Sequence, residues 1–192
     1  MIDIEQTLQD HQNTVAALMP LVPVIRASAE RMSSAIHAGG KILWMGNGGS
    51  AADSQHLAAE LLGRFTRERR AIASMALTTD SSVLTAIGND YGYDTVFSRQ
   101  VEGLCTPKDI VVGISTSGNS PNVLRAIAVA KQIGAFTIGF SGRDGGRLRE
   151  AVDLCLTVPS PVTARIQECH ILIGHILCDW IEAAIIPFYS VE

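Results

Sequence analysis

His56 and Glu60 stand four residues apart, so on a helix they share one face. An imidazole and a carboxylate placed that way can move protons or hold a metal. Just before them runs the loop Gly46-Asn47-Gly48-Gly49-Ser50, and farther along comes Ser115-Thr116-Ser117-Gly118-Asn119-Ser120. Each loop follows a short apolar run (Ile42 to Met45, Ile110 to Ile114) and precedes a helical pattern. A strand that ends in small residues and opens a helix exposes backbone N–H groups and the positive end of the helix dipole, which suits phosphate or sugar oxygens. An anion cradle beside an acid/base or metal pair points to chemistry on a phosphorylated small molecule.

Each feature alone also has a plainer reading. Gly48-Gly49 fits a tight turn as well as a close backbone approach to a ligand. One hydroxyl suffices to cap a helix, so the four at Ser115, Thr116, Ser117 and Ser120 are better explained by an anionic ligand. The first loop lacks the G-x-G-x-x-G pattern and the acidic residue of a dinucleotide site, and no Gly-Lys-Ser/Thr follows it. Gln167 and His175 fall in the C-terminal helical pattern, where a His among apolar residues, His170 included, reads as a core residue.

The elements that must carry these residues alternate. Short apolar runs occur at Lys41–Met45, Ile72–Leu77, Ile110–Ile114, Ala135–Phe140 and Leu154–Val158. Helical stretches lie between most of them, at about Ser50–Arg64, Ser81–Leu104 (broken near Asp90–Gly92), Ser120–Ile133 and Gly146–Ala151, and a last helix spans Thr163–Ile185, stopping near Pro187. Two further helices precede the first strand, over residues 2–19 and 22–38, separated by Pro20 and Pro23. This alternation predicts an α/β fold whose five-stranded parallel sheet is covered by helices on both faces. No linker interrupts it, so residues 1–192 are expected to form a single domain: a helical extension over 1–38 and a core over 39–192.

The 192 residues are 47% hydrophobic and carry a net charge of −4, which argues against a nucleic-acid partner. Arg64, Arg67, Arg69 and Arg70 form a basic cluster interrupted by Glu68, and such a run is expected to be a solvated loop or helix end. Cys105, Cys155, Cys169 and Cys178 show no metal or redox spacing and are expected to be free, buried thiols. The N-terminus lacks the layout of a signal peptide and no apolar run approaches a membrane span, so a cytoplasmic location without membrane contact is expected.

Several stretches taken together resemble a known family. Gly46-Asn-Gly-Gly-Ser-Ala-Ala-Asp-Ser-Gln-His56-Leu-Ala-Ala-Glu60-Leu, Leu77-Thr-Thr-Asp80, Gly88-Asn-Asp90-Tyr, Ile114-Ser-Thr-Ser-Gly-Asn-Ser120, Ser141-Gly-Arg-Asp-Gly-Gly146 and Arg165-Ile-Gln167-Glu are similar, in that order, to the phosphoheptose isomerases of the SIS (sugar isomerase) fold. The resemblance runs from about residue 40 to 187, and Arg70 stands where relatives often have Pro. It implies a SIS-type three-layer sandwich with N-terminal helices. It implies an enzyme that converts sedoheptulose 7-phosphate to D-glycero-D-manno-heptose 7-phosphate, the first step toward activated heptose for lipopolysaccharide or another surface polysaccharide. It further implies a homotetramer with active sites between subunits, and one zinc per subunit held by His56, Glu60, Gln167 and His175. Substrate contacts carry over to Asn47, Gly48, Gly49, Glu60, Asn89, Asp90 and Gln167, and phosphate contacts to Ser115, Thr116, Ser117 and Ser120. Glu60 and His175 become the acid/base pair.

The chemistry suits these residue types. Moving a proton between C1 and C2 through an enediol needs a carboxylate to take and return it, an imidazole for the proton on the neighbouring oxygen, and gains from a Lewis acid at the carbonyl. Coordination lowers a carboxylate's pKa, so Glu60 serves as base or ligand by turns, or the metal serves substrate binding and stability. Gln167 and His175 are separated by ~12 Å along one helix and about 80° around it. Both reach one metal only by leaning together or by coming from different copies of the helix, which predicts sites shared between subunits. A second reading is a non-catalytic SIS-fold tetramer that binds a replication initiator. Such proteins, by resemblance, lack the Glu and the second His that this chain has at Glu60 and His175. A sugar-phosphate-sensing transcription regulator would need a basic DNA-binding domain that the N-terminal residues do not supply.

Overall fold

The computed structural model describes residues 3–186; the expected stop near Pro187 lies outside them. Asp3 opens α1 (Ile4–Ala16), its carboxylate accepting from the Gln6 N–H at 2.9 Å. A 3-10 turn over Met19–Leu21 leads into α2 (Val22–His37), which tolerates Pro23 in its first turn because no intrahelical N–H is lost there. Then come β1 (Ile42–Gly46), α3 (Gly49–Leu62), β2 (Ser74–Ala76), α4 (Ser81–Tyr91), α5 (Ser98–Leu104), β3 (Ile110–Ser115), α6 (Pro121–Ile133), β4 (Phe136–Gly142), α7 (Gly146–Ala151), β5 (Leu154–Val158) and α8 (Thr163–Ile185).

All five strands pair in parallel in the order β2-β1-β3-β4-β5. Alternate side chains serve opposite faces. Ile42, Trp44, Ile110, Val112, Ile138 and Phe140 pack with α2, α3 and α8 on one side. Leu43, Met45 and Val111 pack with α5, α6 and α7 on the other. The three-layer α/β sandwich read from the alternation is the fold. Because the chain winds from β1 outward to β2 and then returns to β3 on β1's other side, β1 and β3 flank the point where winding direction reverses. Beyond their carboxyl ends a crevice opens, the usual ligand position in such sheets.

Three expectations need correction. The run Ile72–Leu77 yields a ladder of only three residues, because β2 is an edge strand; Ile72 and Leu77 are buried but bond at its ends, Ile72 N–H to the Leu61 carbonyl and Leu77 N–H to the Trp44 carbonyl. The helical stretch from Ser81 breaks beside Gly92 as expected, with α4 ending at Tyr91 and a 3-10 turn over Tyr93–Thr95 preceding α5. The basic cluster is not simply a solvated segment. Arg64 and Arg70 lie at the surface, but the Arg69 side chain is fully buried against an equally buried Glu182 at 3.0 Å, and Arg67 pairs with Asp179. Of the thiols, Cys169 and Cys178 are buried, whereas Cys105 and Cys155 are only partly so.

Glu182 also accepts the backbone N–H groups of Phe65 at 2.7 Å, Thr66 at 2.9 Å and Arg67 at 3.0 Å. Burial pushes this carboxyl up, but those donors and Arg69 outweigh it and hold the group below the usual carboxylate range. A carboxylate depressed in the folded state adds stability that is complete above its unfolded pKa and lost as pH falls through the folded value. Urea unfolding should therefore show wild type losing stability between about pH 5 and 3. Glu182→Gln should already be less stable by about 3 kcal/mol at pH 7 and lose less over that window.

Candidate active site

α8 lies alongside α3 and runs in the same direction, so contacts advance together along both. A Cβ on Gly49 would stand 2.5 Å from Gln167 Nε2. One on Gly174 would stand 2.5 Å from the Leu57 Cδ2. Gly174 therefore lets the helices meet closely where Leu57 enters, and the residues beside that contact, His56 and His175, meet Nε2 to Nε2 at 2.8 Å. Glu60, one turn beyond His56, brings Oε1 to 3.2 Å from the same His56 nitrogen.

His56, Glu60 and His175 thus present three ligand atoms within 4.8 Å of one another. Two imidazole Nε2 atoms this close share one proton or both donate lone pairs to a cation. Two imidazole nitrogens and a carboxylate oxygen are an ordinary zinc donor set. His56 is 49% exposed and Glu60 22%, so the group opens to solvent. Gln167 is not at this cluster in the same chain. It lies two turns of α8 earlier, against the start of α3.

Asp53, three residues before His56, has a buried Oδ2 with no hydrogen-bond partner; burial raises its carboxyl and His56 draws it partly back. Its spacing to His56 was the available signal, and sequence reasoning passed over it. By contrast His170 is the neutral core histidine expected of it. Its Nε2 bonds with the Ser141 carbonyl at 2.9 Å, its ring meets Phe140, and burial pushes its pKa down to about 4.

Gly48 precedes α3 with no side-chain cap on the helix, and Ser120 likewise makes no capping bond to α6. The Ser120 hydroxyl instead meets that of Ser115 at 2.9 Å, and Ser117's lies 3.5 Å from Ser115's. These serines gather at one spot without serving as caps, while Thr116 follows Ser115 in the same loop. The loop is locked from beneath: Gly118 has φ +66, and a Cβ there would stand 1.9 Å from the Gly145 carbonyl oxygen, while one on Gly146 would stand 2.5 Å from the Ser117 carbonyl oxygen.

The two loops are joined across the β1–β3 crevice. Asn47 and Asn122 exchange side-chain amide hydrogen bonds, each at 2.9 Å, and the Tyr93 hydroxyl reaches Asn47 at 3.3 Å. Asn122 is buried and is a positioning residue that sequence reasoning missed. Asn89 and Asp90 lie exposed near the end of α4, where the Asn89 amide donates to the Asp90 carboxylate at 2.8 Å.

The fold is a SIS-type sandwich, and the SIS domain family matches residues 12–142. A phosphoheptose isomerase of Geotalea daltonii is 54% identical over 181 residues, 94% of each chain. The structure of the phosphoheptose isomerase of Neisseria gonorrhoeae superposes with a TM-score of 0.89 at 46% identity, covering 94% of this chain and 97% of that one. That of Francisella tularensis gives 0.91 at 38%, covering 94% and 96%. The chain belongs to the phosphoheptose isomerase family. The initiator-binding reading finds no support in these relatives. No described helix is long and apolar enough to cross a membrane.

Glu60 and His175 meet within one chain, so sharing between subunits is not what brings this pair together. Mixed oligomers of Glu60→Gln and His175→Ala subunits should stay inactive, because every chain then has one broken cluster. Activity returning on mixing would show that the working cluster is built across subunits.

Proposed function

We propose that this chain interconverts sedoheptulose 7-phosphate and D-glycero-D-manno-heptose 7-phosphate, the step that opens the supply of activated heptose for a bacterial surface polysaccharide such as lipopolysaccharide. The observation that carries the reading is the His56–Glu60–His175 group, formed where α8 passes the helix that begins at the first glycine loop. From Gly49 to His56 is ~10 Å along α3. A heptose 7-phosphate has its phosphate and its reacting C1–C2 unit at opposite ends, so it suits a site with separate anchors for the two.

Ser115, Thr116, Ser117 and Ser120 hold the phosphate, with α6 directing its positive end toward it. Asn47, Gly48, Gly49, Asn89, Asp90 and Gln167 hold the sugar chain. His56, Glu60 and His175 hold one zinc per chain, which supplies a Lewis acid at the carbonyl oxygen. When not engaged by the metal, Glu60 takes the proton from one carbon and returns it to the next, and His175 serves the proton on the adjacent oxygen. Gln167 lies with the first loop in its own chain, so as a metal ligand it comes from a neighbouring copy. The assembly is a homotetramer in the cytoplasm with sites at its interfaces. Support for association comes from apolar side chains left exposed on the N-terminal helices and α8, among them Ile4, Leu8, Met19, Ile176 and Trp180.

Incubation with sedoheptulose 7-phosphate should yield an aldose product; its absence with added zinc would end the reading. Glu60→Gln should keep the oligomer and reduce turnover by about 10²- to 10⁴-fold; near-wild-type rates would remove Glu60 from the mechanism. A chelator should lower both activity and thermal stability, with zinc restoring each; indifference to the chelator would leave the metal without a role.

A further inference from the structure

The segment after α3 folds back onto α8 and sets the Phe65 ring against the His175 imidazole, with centroids 5.3 Å apart and planes 24° from parallel. His56 meets the same imidazole more nearly edge-on, with centroids 5.1 Å apart and planes at 63°. The His175 ring thus has a ring on two of its sides, one stacked and one edge-on, which limits the space for it to turn about its Cβ–Cγ bond. Phe65 is itself fixed through its backbone, because its N–H is the first of the three that Glu182 accepts. Glu182 is seven residues beyond His175, two turns along the same face of α8. Arg69 closes the arrangement by pairing with Glu182 while donating to the Glu60 carbonyl at 2.8 Å and the Gly63 carbonyl at 2.7 Å. One buried carboxylate and one buried guanidinium therefore tie the last turn of α3, the Phe65 segment and α8 into a unit around the His175 ring.

We propose that Phe65 is a positioning residue for His175, set in place by the buried Glu182–Arg69 pair, so that Nε2 faces His56 and Glu60 before metal or substrate arrives. The proposal rests on reading those three side chains as a metal-holding group. It adds a requirement: without a flat ring against it, the imidazole spends part of its time turned away, and metal affinity and turnover fall while phosphate binding at the serine loop does not. Groups that orient a metal-binding imidazole typically alter affinity by about 10- to 100-fold. A ring held by stacking belongs at the lower end.

The test uses the full-length protein with Phe65→Leu, Phe65→Met and Phe65→Tyr. Zinc affinity is measured by competition with a chromophoric chelator, and the cobalt-substituted absorption spectrum is recorded. Turnover and KM for sedoheptulose 7-phosphate and the melting temperature without metal complete the set. Phe65→Leu should bind zinc about tenfold more weakly, shift the cobalt bands, and lower kcat with KM changed less than about twofold. Its metal-free melting temperature should stay within about 4 °C of wild type, and Phe65→Tyr should restore affinity and spectrum. Phe65→Met, similar in volume but without a ring, decides the matter if the leucine variant fails to fold. A folded ringless variant with wild-type zinc affinity and cobalt spectrum overturns the proposal while leaving the metal site standing. Wild-type protein that binds no zinc overturns the metal-site reading and this proposal with it.

Discussion

The close passage of α8 over α3 at Gly174 is the constraint on which the site depends. Leu57 fills the space that a side chain at Gly174 would need. The fit sets the separation of the two helices at the residues that carry the imidazoles. A methyl group there would have to push the helices apart or force Leu57 from its rotamer, and tightly packed interiors yield poorly to either. His56 and His175 would then separate although neither had been altered. The spacing of the two imidazoles is thus inherited from a hydrophobic contact one residue away on each helix.

The same helix pair divides the labour of the crevice. Toward its start, α3 leaves the glycine loop and meets Gln167. Its second half carries His56 and Glu60. Past its end, the buried arginine and glutamate fasten it to α8. Side chains placed on packed helices are held more tightly than those on loops, and here the imidazoles and Glu60 sit on helices whereas the serine cluster sits on a loop. Burial of an ion pair stabilises little by itself. Its value in this fold is geometric, since every donor of the α3-to-β2 segment that reaches Glu182 specifies the path of that segment.

Much of this was legible in the sequence. Unbroken apolar runs of strand length alternating with helical patterns define the parallel sheet, and the glycine and serine loops mark the ends of β1 and β3. The spacing of Gln167 and His175 indicates that one helix cannot easily deliver both to one point, and within a chain they do meet α3 at separate places, Gln167 at Gly49 and His175 at His56. Other features had no local signal. Glu182 lies 115 residues beyond Arg67 along the chain, and neither periodicity nor composition pairs one polar residue with another at that range. Arg69 read as part of a charged run because its neighbours are exposed and it is not. Phe65 and Asn122 are ordinary residue types whose roles exist only through partners brought near by the fold. The break near Gly92, in contrast, has a local signal, a glycine, and there Gly92 takes φ +85, a conformation other residues rarely adopt.

The interlock between the serine loop and the turn before α7 has a bearing on how this protein can be altered. Backbone atoms of Ser117, Gly118, Gly145 and Gly146 occupy one another's side-chain space. A library that diversifies the serine loop would have to leave Gly118 and the Gly145–Gly146 turn untouched. Recombination with a distant homologue would have to carry the two segments across as a matched set, because a crossover between them joins halves whose backbones were never shaped to fit.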